Sequence, residues 1–314
     1  MNEVEQRNGA VYGFAAYLIW GGFPLFFQLV RRSGAFEIIA YRIVFSLAFC
    51  LLLVALTRGW RRIREILSNP RGLGLLALGG LLVMINWTVY VWGVNNGHTI
   101  DAALGYFINP LMSAVLGVSV LGERLRRAQV VAFGIGALAV VVLVVGYGKV
   151  PWVALGVSTS FALYSLVKNR VGRRVDALSG LVIETASVFP LAIAYLWWLG
   201  AAGGSTMGFA GGYGWLLVLS GPLTALPLLL FAAAASRVSL TMIGILQYIC
   251  PMMQFCIGWL VFGERMPIKR WIGFALIWVA IAVFAADSAR RSTIGSVRRP
   301  RIAGRRSQVS QARP

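Results

Sequence analysis

Apolar runs of roughly 20 residues, separated by short polar breaks, follow one another from Tyr12 almost to Asp287. A helix rising 1.5 Å per residue needs about that length to cross roughly 30 Å of hydrocarbon, so the pattern predicts membrane-spanning helices. Charges and Gly/Pro-rich turns divide the runs into spans near 10–30, 34–57, 72–94, 99–121, 127–146, 150–168, 177–199, 211–235, 238–262 and 268–287. The count is ten. It rests most heavily on two short breaks, Asn95 to His98 and Ser236 to Val238, because losing either would put the two ends on opposite sides.

Composition agrees with this reading. The chain has 314 residues, 59% hydrophobic and only 12% charged, whereas soluble domains carry about a quarter charged residues. Little chain remains for a folded extramembrane unit, so one membrane domain is expected. The first span follows a short polar segment and shows no small-residue cleavage pattern before Arg31 and Arg32, which reads as a retained anchor.

A net charge of +19 in a soluble protein would suggest nucleic acid, but here Lys and Arg lie between the apolar runs and in the final segment. They read as topology signals, and no nucleic-acid partner is expected. Arg58, Arg61, Arg62, Arg64 and Arg71 follow the second span, Arg124, Arg126 and Arg127 the fourth, and Lys168, Arg170, Arg173 and Arg174 the sixth. The loops after the third and seventh carry none. Both termini are therefore expected in the cytoplasm of a bacterium whose inner membrane holds the chain, with the Arg-rich tail from Arg290 to Pro314 against the anionic leaflet. Arg265, Lys269 and Arg270, after the ninth span, break the rule.

That exception coincides with an internal repeat. The segment Gly105 to Gln129 resembles Leu246 to Arg270 when Pro110 is superposed on Pro251; the spacing from Pro110 to Gly122 equals that from Pro251 to Gly263, and each Gly precedes Glu-Arg. With five spans per copy, the second must enter the membrane upside down, as in many secondary transporters, and the misplaced outer cations follow from descent. The expected fold class is all-α, a polytopic membrane protein with ten transmembrane helices in two inverted five-helix repeats.

Polar side chains in mid-span must face partners or a water-filled path, because an unsatisfied polar group in hydrocarbon costs several kcal/mol. Pro110 and Pro251 each remove an N–H and loosen the backbone at equivalent places, marking them as hinge candidates. Around them lie Tyr106, Asn109, Gln247, Tyr248 and Gln254, and the third span adds Asn86, Trp87 and Tyr90, with Asn86 and Tyr90 on one helix face. These define a central cavity of amides, phenols and indoles for a small-molecule substrate. Glu37, Arg42 and Glu184 are the intramembrane ionisable residues, candidates for gating, ion pairing or proton coupling. Arg42 lies about 12 Å from the outer side and Glu184 about 10 Å from the cytoplasmic side, and long side chains can close the gap of roughly 8 Å. An Arg42–Glu184 pair between the repeats is expected.

Cys50, Cys250 and Cys256 sit in apolar stretches without CxxC spacing and read as packing residues. A single histidine, His98, and scattered acids give no metal-ligand pattern, so neither metal nor cofactor is expected, and no catalytic residue is assigned. His98 and Asp101 read as a helix cap or a titrating pair. Ala128, Ala132 and Gly136 permit close helix packing, within the chain or in a dimer. Oligomeric state is left open.

YLIWGGFP (Tyr17 to Pro24), FEIIAYR (Phe36 to Arg42), NWTVYVWGVNNGH (Asn86 to His98), AALGYFINPL (Ala102 to Leu111), LGERL (Leu121 to Leu125), FALYSLVKN (Phe161 to Asn169), PLTALPLLLFAAAA (Pro222 to Ala235) and LQYICP (Leu246 to Pro251) together resemble the EamA-type branch of the drug/metabolite transporter superfamily, and within it the RarD-type group. The resemblance runs from about Tyr12 to Asp287. It implies a cytoplasmic segment 1–9, EamA repeats at 10–146 and 147–287, a basic cytoplasmic tail 288–314, and export or exchange of a small organic metabolite or drug by alternating access. Trp20 and Tyr164, within matched stretches, join the cavity list. Tyr41 stands where the pattern has His, and Asp101 with Ala103 replaces a Glu-Ala-Ser version, so no proton role carries over at that His. The competing reading is an intramembrane enzyme acting on a lipid or isoprenoid, which would cluster acids, His or nucleophiles at one depth.

Overall fold

Where apolar side chains exclude water, backbone N–H and C=O groups must pair within their own segment, and the apolar runs are accordingly mostly helical among the described residues. The computed structural model describes residues 3–122, 127–147, 150–171, 175–238, 242–243 and 246–297, and among these there is no strand. Helix α1 (Glu3–Gly21) runs almost directly into α2 (Phe23–Leu29), with Pro24 in the first turn, where no N–H is required. A single 3₁₀ turn leads into α3 (Gly34–Leu56). The amphipathic α4 (Trp60–Leu67) buries Ile63 and Ile66 and exposes Arg61, Arg62 and Arg64. Next come α5 (Pro70–Asn95), α6 (Thr99–Leu121), α7 (Arg127–Tyr147), α8 (Trp152–Val171), α9 (Ala177–Ala201) and α10 (Tyr213–Ala235). Short α11 (Ile249–Cys256) continues as one π turn, Ile257–Val261, before α12 (Ile268–Val297).

Both decisive breaks are present: Gly97 takes a left-handed φ of 74° before Thr99, and residues 236–238 turn after α10. Three features differ from expectation. The short α4 was hidden among arginines read only as topology signals. The span expected over 238–262 is not one helix, since residues 247–248 form a turn and α11 starts two residues before Pro251, which then occupies a first-turn position that needs no N–H. Among the described residues, six helical stretches are long and apolar enough to cross a membrane: Val4–Leu29, Arg31–Leu56, Pro70–Asn95, Thr99–Val120, Ala177–Ala201 and Tyr213–Ala235, with Val130–Val145 and Ile249–Val261 shorter. Helix α8 is more polar because it carries Ser158 and Ser160, both buried against its neighbours.

Packing is symmetric under exchange of α1–α7 with α8–α12. Helix α3 packs on α9, α7 on α12 and α6 on α11; α5 packs on α8 as α10 packs on α1, α5 on α9 as α10 on α3, and α6 on α8 as α11 on α1. Two glycine pairs, each 141 residues apart, make this local. A Cβ on Gly80 would overlap the backbone of Glu184 in α9, and one on Gly221 would overlap the backbone of Phe45 in α3. Gly122 and Gly263 both adopt left-handed φ, 67° and 64°, which explains the Gly of each Gly-Glu-Arg turn. Glu123 and Arg124 of the first turn lie outside the described residues.

The described interior combines apolar packing with buried polar and charged side chains, Glu37, Arg42, Asn86 and Glu184 among them. Cys50 is fully buried within the apolar cluster of α3, α5 and α9. Ala132 is fully buried with Leu111 and Ala280, and Gly136 faces Leu111, so this stripe packs inside the chain; the side chain of Ala128 is outside the described set. Alternating helices place Ser33, Thr99, Thr206 and Glu264 at one end, hereafter the Ser33 end, and Asn69 and Asp176 at the other.

Candidate functional site

Arg42, in the Ser33-end half of α3, is 3% exposed. Its guanidinium carbon lies 4.1 Å from the centre of the Trp87 ring, 5.2 Å from Phe23 and 5.6 Å from Phe27. Such faces attract a cation through their quadrupoles, by about 2 kcal/mol or more when desolvated. Arg42 Nε donates to Thr224 Oγ1 at 2.6 Å, while that hydroxyl donates to the Ser220 carbonyl at 2.7 Å, so its lone pair is fixed toward the guanidinium. No carboxylate among the described residues pairs with Arg42. Beside it runs a narrow cleft, too tight for a water molecule, lined by Phe23, Phe26, Phe27, Arg42, Ser220, Leu223 and Thr224.

Next to this cage is a polar knot. Asn86 Nδ2 donates to the Val157 carbonyl at 2.9 Å and to Ser160 Oγ at 3.1 Å, and its Oδ1 accepts from the Tyr106 hydroxyl at 3.2 Å. The amide is thus satisfied and clamps α5, α6 and α8 together. Tyr90 packs edge-on against Phe27 and tilts over Tyr106, yet its buried hydroxyl has no partner. Gln254 Nε2 donates to the Trp20 carbonyl at 3.2 Å, leaving its buried Oε1 unpartnered, as is Asn109 Oδ1. Trp20 itself packs on Tyr17 and Phe231. Gln247 and Tyr248 are half-buried in the turn before α11. Pro110 sits inside continuous α6.

The expected Arg42–Glu184 pair is not formed. Glu184, 2% exposed, accepts from Lys168 Nζ at 2.7 Å and from the Tyr164 hydroxyl at 3.1 Å. Both donors come from α8, and Lys168 reaches inward from the helix end instead of outward to water. Arg42 has meanwhile turned into its aromatic cage. Glu37 is equally occupied, accepting from Thr206 N–H at 2.8 Å, Thr206 Oγ1 at 3.0 Å and Ser205 Oγ at 3.4 Å.

Sequence reasoning missed the ties that close the Ser33 end. Glu264 accepts from the N–H groups of Thr99, at 2.6 Å, and Ile100, at 3.0 Å, thereby capping α6. Asp101 pairs with Arg270 and approaches His98 Nδ1 at 3.0 Å, so the cap comes from Glu264 and not from His98 or Asp101. Ser33 Oγ bonds Thr206 Oγ1 at 2.6 Å and the Tyr213 hydroxyl at 2.7 Å. The Glu264, Arg270 and Ser33 contacts each join the α1–α7 part of the chain to the α8–α12 part. The repeated Gly-Glu-Arg turn was the available signal, because a charged pair at the end of a span needs a partner.

The EamA-like transporter family matches residues 7–145 and 149–286. A protein of Streptomyces exfoliatus named Protein RarD is 50% identical over 92% of this chain and 91% of its own length. The Bacillus subtilis protein named Uncharacterized transporter YojE is 40% identical over 92% and 97%, and the Pseudomonas aeruginosa protein named Chloramphenicol-sensitive protein RarD is 29% identical over 90% and 95%. A solved crystal structure superposes with a TM-score of 0.55 at 22% identity, covering 90% of this chain and 98% of that one, a likeness of fold alone.

Proposed function

The chain belongs to the EamA-like transporter family and is a multi-pass membrane transporter of the drug/metabolite superfamily, and from that premise we propose that it carries a small organic molecule by alternating access between two inverted five-helix repeats. Ten helices cross the bacterial inner membrane in this reading, α1 with α2 counted as one, α4 lying at the surface, and both termini in the cytoplasm. Helix α8 joins the count because its 20 residues span about 30 Å and its serines face inward.

The carrying observation is the exchange-symmetric packing around buried polar groups with unused bonding capacity, namely Arg42, Tyr90, Asn109 and Gln254. Polar groups left open at the junction of two repeats are what a substrate engages in a carrier of this kind. Closure at the Ser33 end, the outer one in this topology, corresponds to a conformation shut toward the outside. The test is counterflow with purified protein in liposomes preloaded with unlabelled compound, using a panel of metabolites and drugs that includes chloramphenicol. Transient accumulation of the unaltered labelled compound is expected; chemical conversion of it, or no accumulation for any compound, would overturn the proposal.

A further inference from the structure

We propose that Arg42 recognises an anionic group of the cargo, and that the transported substrate class is a small organic carboxylate. This rests on the transporter reading above and deepens it. A charge buried in hydrocarbon is retained only where something compensates it. Arg42 has aromatic faces and one hydroxyl but no counter-ion among the described residues, and both acids within reach by sequence are engaged elsewhere, Glu37 with Thr206 and Glu184 with Lys168.

The two repeats differ at this place. The 141-residue offset that superposes Pro110 on Pro251 also superposes Phe23 on Tyr164 and Phe27 on Lys168, and brings Arg42 within one position of Glu184. In the second repeat the buried charge is answered by the preceding span, through Tyr164 and Lys168. In the first repeat the same two places hold phenylalanines, which cradle the guanidinium but supply no charge. The architecture that neutralises Glu184 internally therefore leaves Arg42 with no charged answer among the described residues, a place for an anion from outside.

Geometry selects the anion. Among the described residues only Nε of Arg42 donates a hydrogen bond, which leaves the terminal nitrogens for a ligand. Paired N–H groups of a guanidinium match the two oxygens of a carboxylate, and the unpartnered Tyr90 hydroxyl nearby offers a further donor. In the present conformation the adjoining cleft admits nothing, so binding requires Phe23 and Phe27 to separate from Ser220 and Thr224.

Thermal unfolding of the purified full chain, with benzoate, nicotinate and phenylacetate set against benzamide, nicotinamide and phenylacetamide, tests this directly. At least one carboxylate is expected to raise the melting temperature by about 2 °C or more while its amide does not. Arg42→Gln should abolish the shift, and Arg42→Lys should weaken the apparent affinity about tenfold, the loss of one good bidentate contact. No shift with any carboxylate, an equal shift with the amide, or a shift retained in Arg42→Gln would overturn the proposal. Should Arg42→Gln fail to fold, the wild-type protein still decides: the same carboxylate must protect Arg42 from phenylglyoxal, read by peptide mass spectrometry, and absence of protection counts against it. Arg42-dependent binding without counterflow would sink the transport reading alone, whereas Arg42-independent counterflow of a neutral compound would sink only this inference.

Discussion

Glu184, buried in α9, is answered by Lys168, whose side chain is about a third exposed at the end of α8. Removing the lysine leaves a buried carboxylate uncompensated, and because solvent screens Lys168 the cost falls below the roughly 3–5 kcal/mol of a fully buried pair. Lys168→Met is therefore expected to lower the melting temperature sharply, while Lys168→Met with Glu184→Leu should recover most of the loss; equal melting temperatures for the single and double variants would contradict the pairing. The sequence made Arg42, Glu37 and Glu184 legible as interior residues because each interrupts an apolar run. Their partners were not legible. Depth along the membrane is one coordinate, and two residues at compatible depths still need the same azimuth. Lys168 was counted with the topology-setting cations of its loop, although its flexible stem brings Nζ to 2.7 Å from a buried carboxylate. Asn86 was read as lining a cavity, and Val157 and Ser160 turn out to occupy its amide.

At the scale of elements, close helix approach depends on glycines at two equivalent crossings. Gly80→Ala and Gly221→Ala each force a methyl group into the backbone of the neighbouring helix, and a destabilisation of about 3 kcal/mol or more is expected for each. Gly74→Ala, where a methyl meets open space, should be neutral or stabilising by about 0.5–1 kcal/mol through helix propensity. Chemical or thermal unfolding of the three variants gives the comparison, and equal behaviour would remove the steric argument. Span ends such as those of α3, α6 and α10 were readable to within a residue or two because Gly, Pro and charge punctuate them. Helix α4 and the broken approach to α11 were not, since eight residues are too few for a span and hydropathy averaging passes over a two-residue turn.

For the whole molecule, the exchange-symmetric packing ties the closed Ser33 end to particular bonds. Asp101→Asn with Glu264→Gln weakens two cross-repeat ties, the ion pair to Arg270 and the carboxylate cap on Thr99 and Ile100. With Cys50, Cys250 and Cys256 replaced by serine and a cysteine introduced at Thr99, labelling by an impermeant maleimide applied at the Ser33 end, the outer one in the proposed topology, is expected to rise in that double variant. Unchanged labelling would show that closure does not depend on these bonds.

The bare guanidinium of Arg42 has an electrical side as well. A charge answered by a neighbour that moves with it, as Glu184 is by Lys168, contributes nothing net to the rocking proposed above. Arg42 is answered by rings and a hydroxyl, so whatever distance it travels along the membrane normal is travelled by a whole positive charge, against a field worth about 2.3 kcal/mol per 100 mV. In the cycle and with the anionic cargo proposed above, the return stroke of the empty protein feels the membrane voltage at this position, and the stroke carrying a bound anion does not.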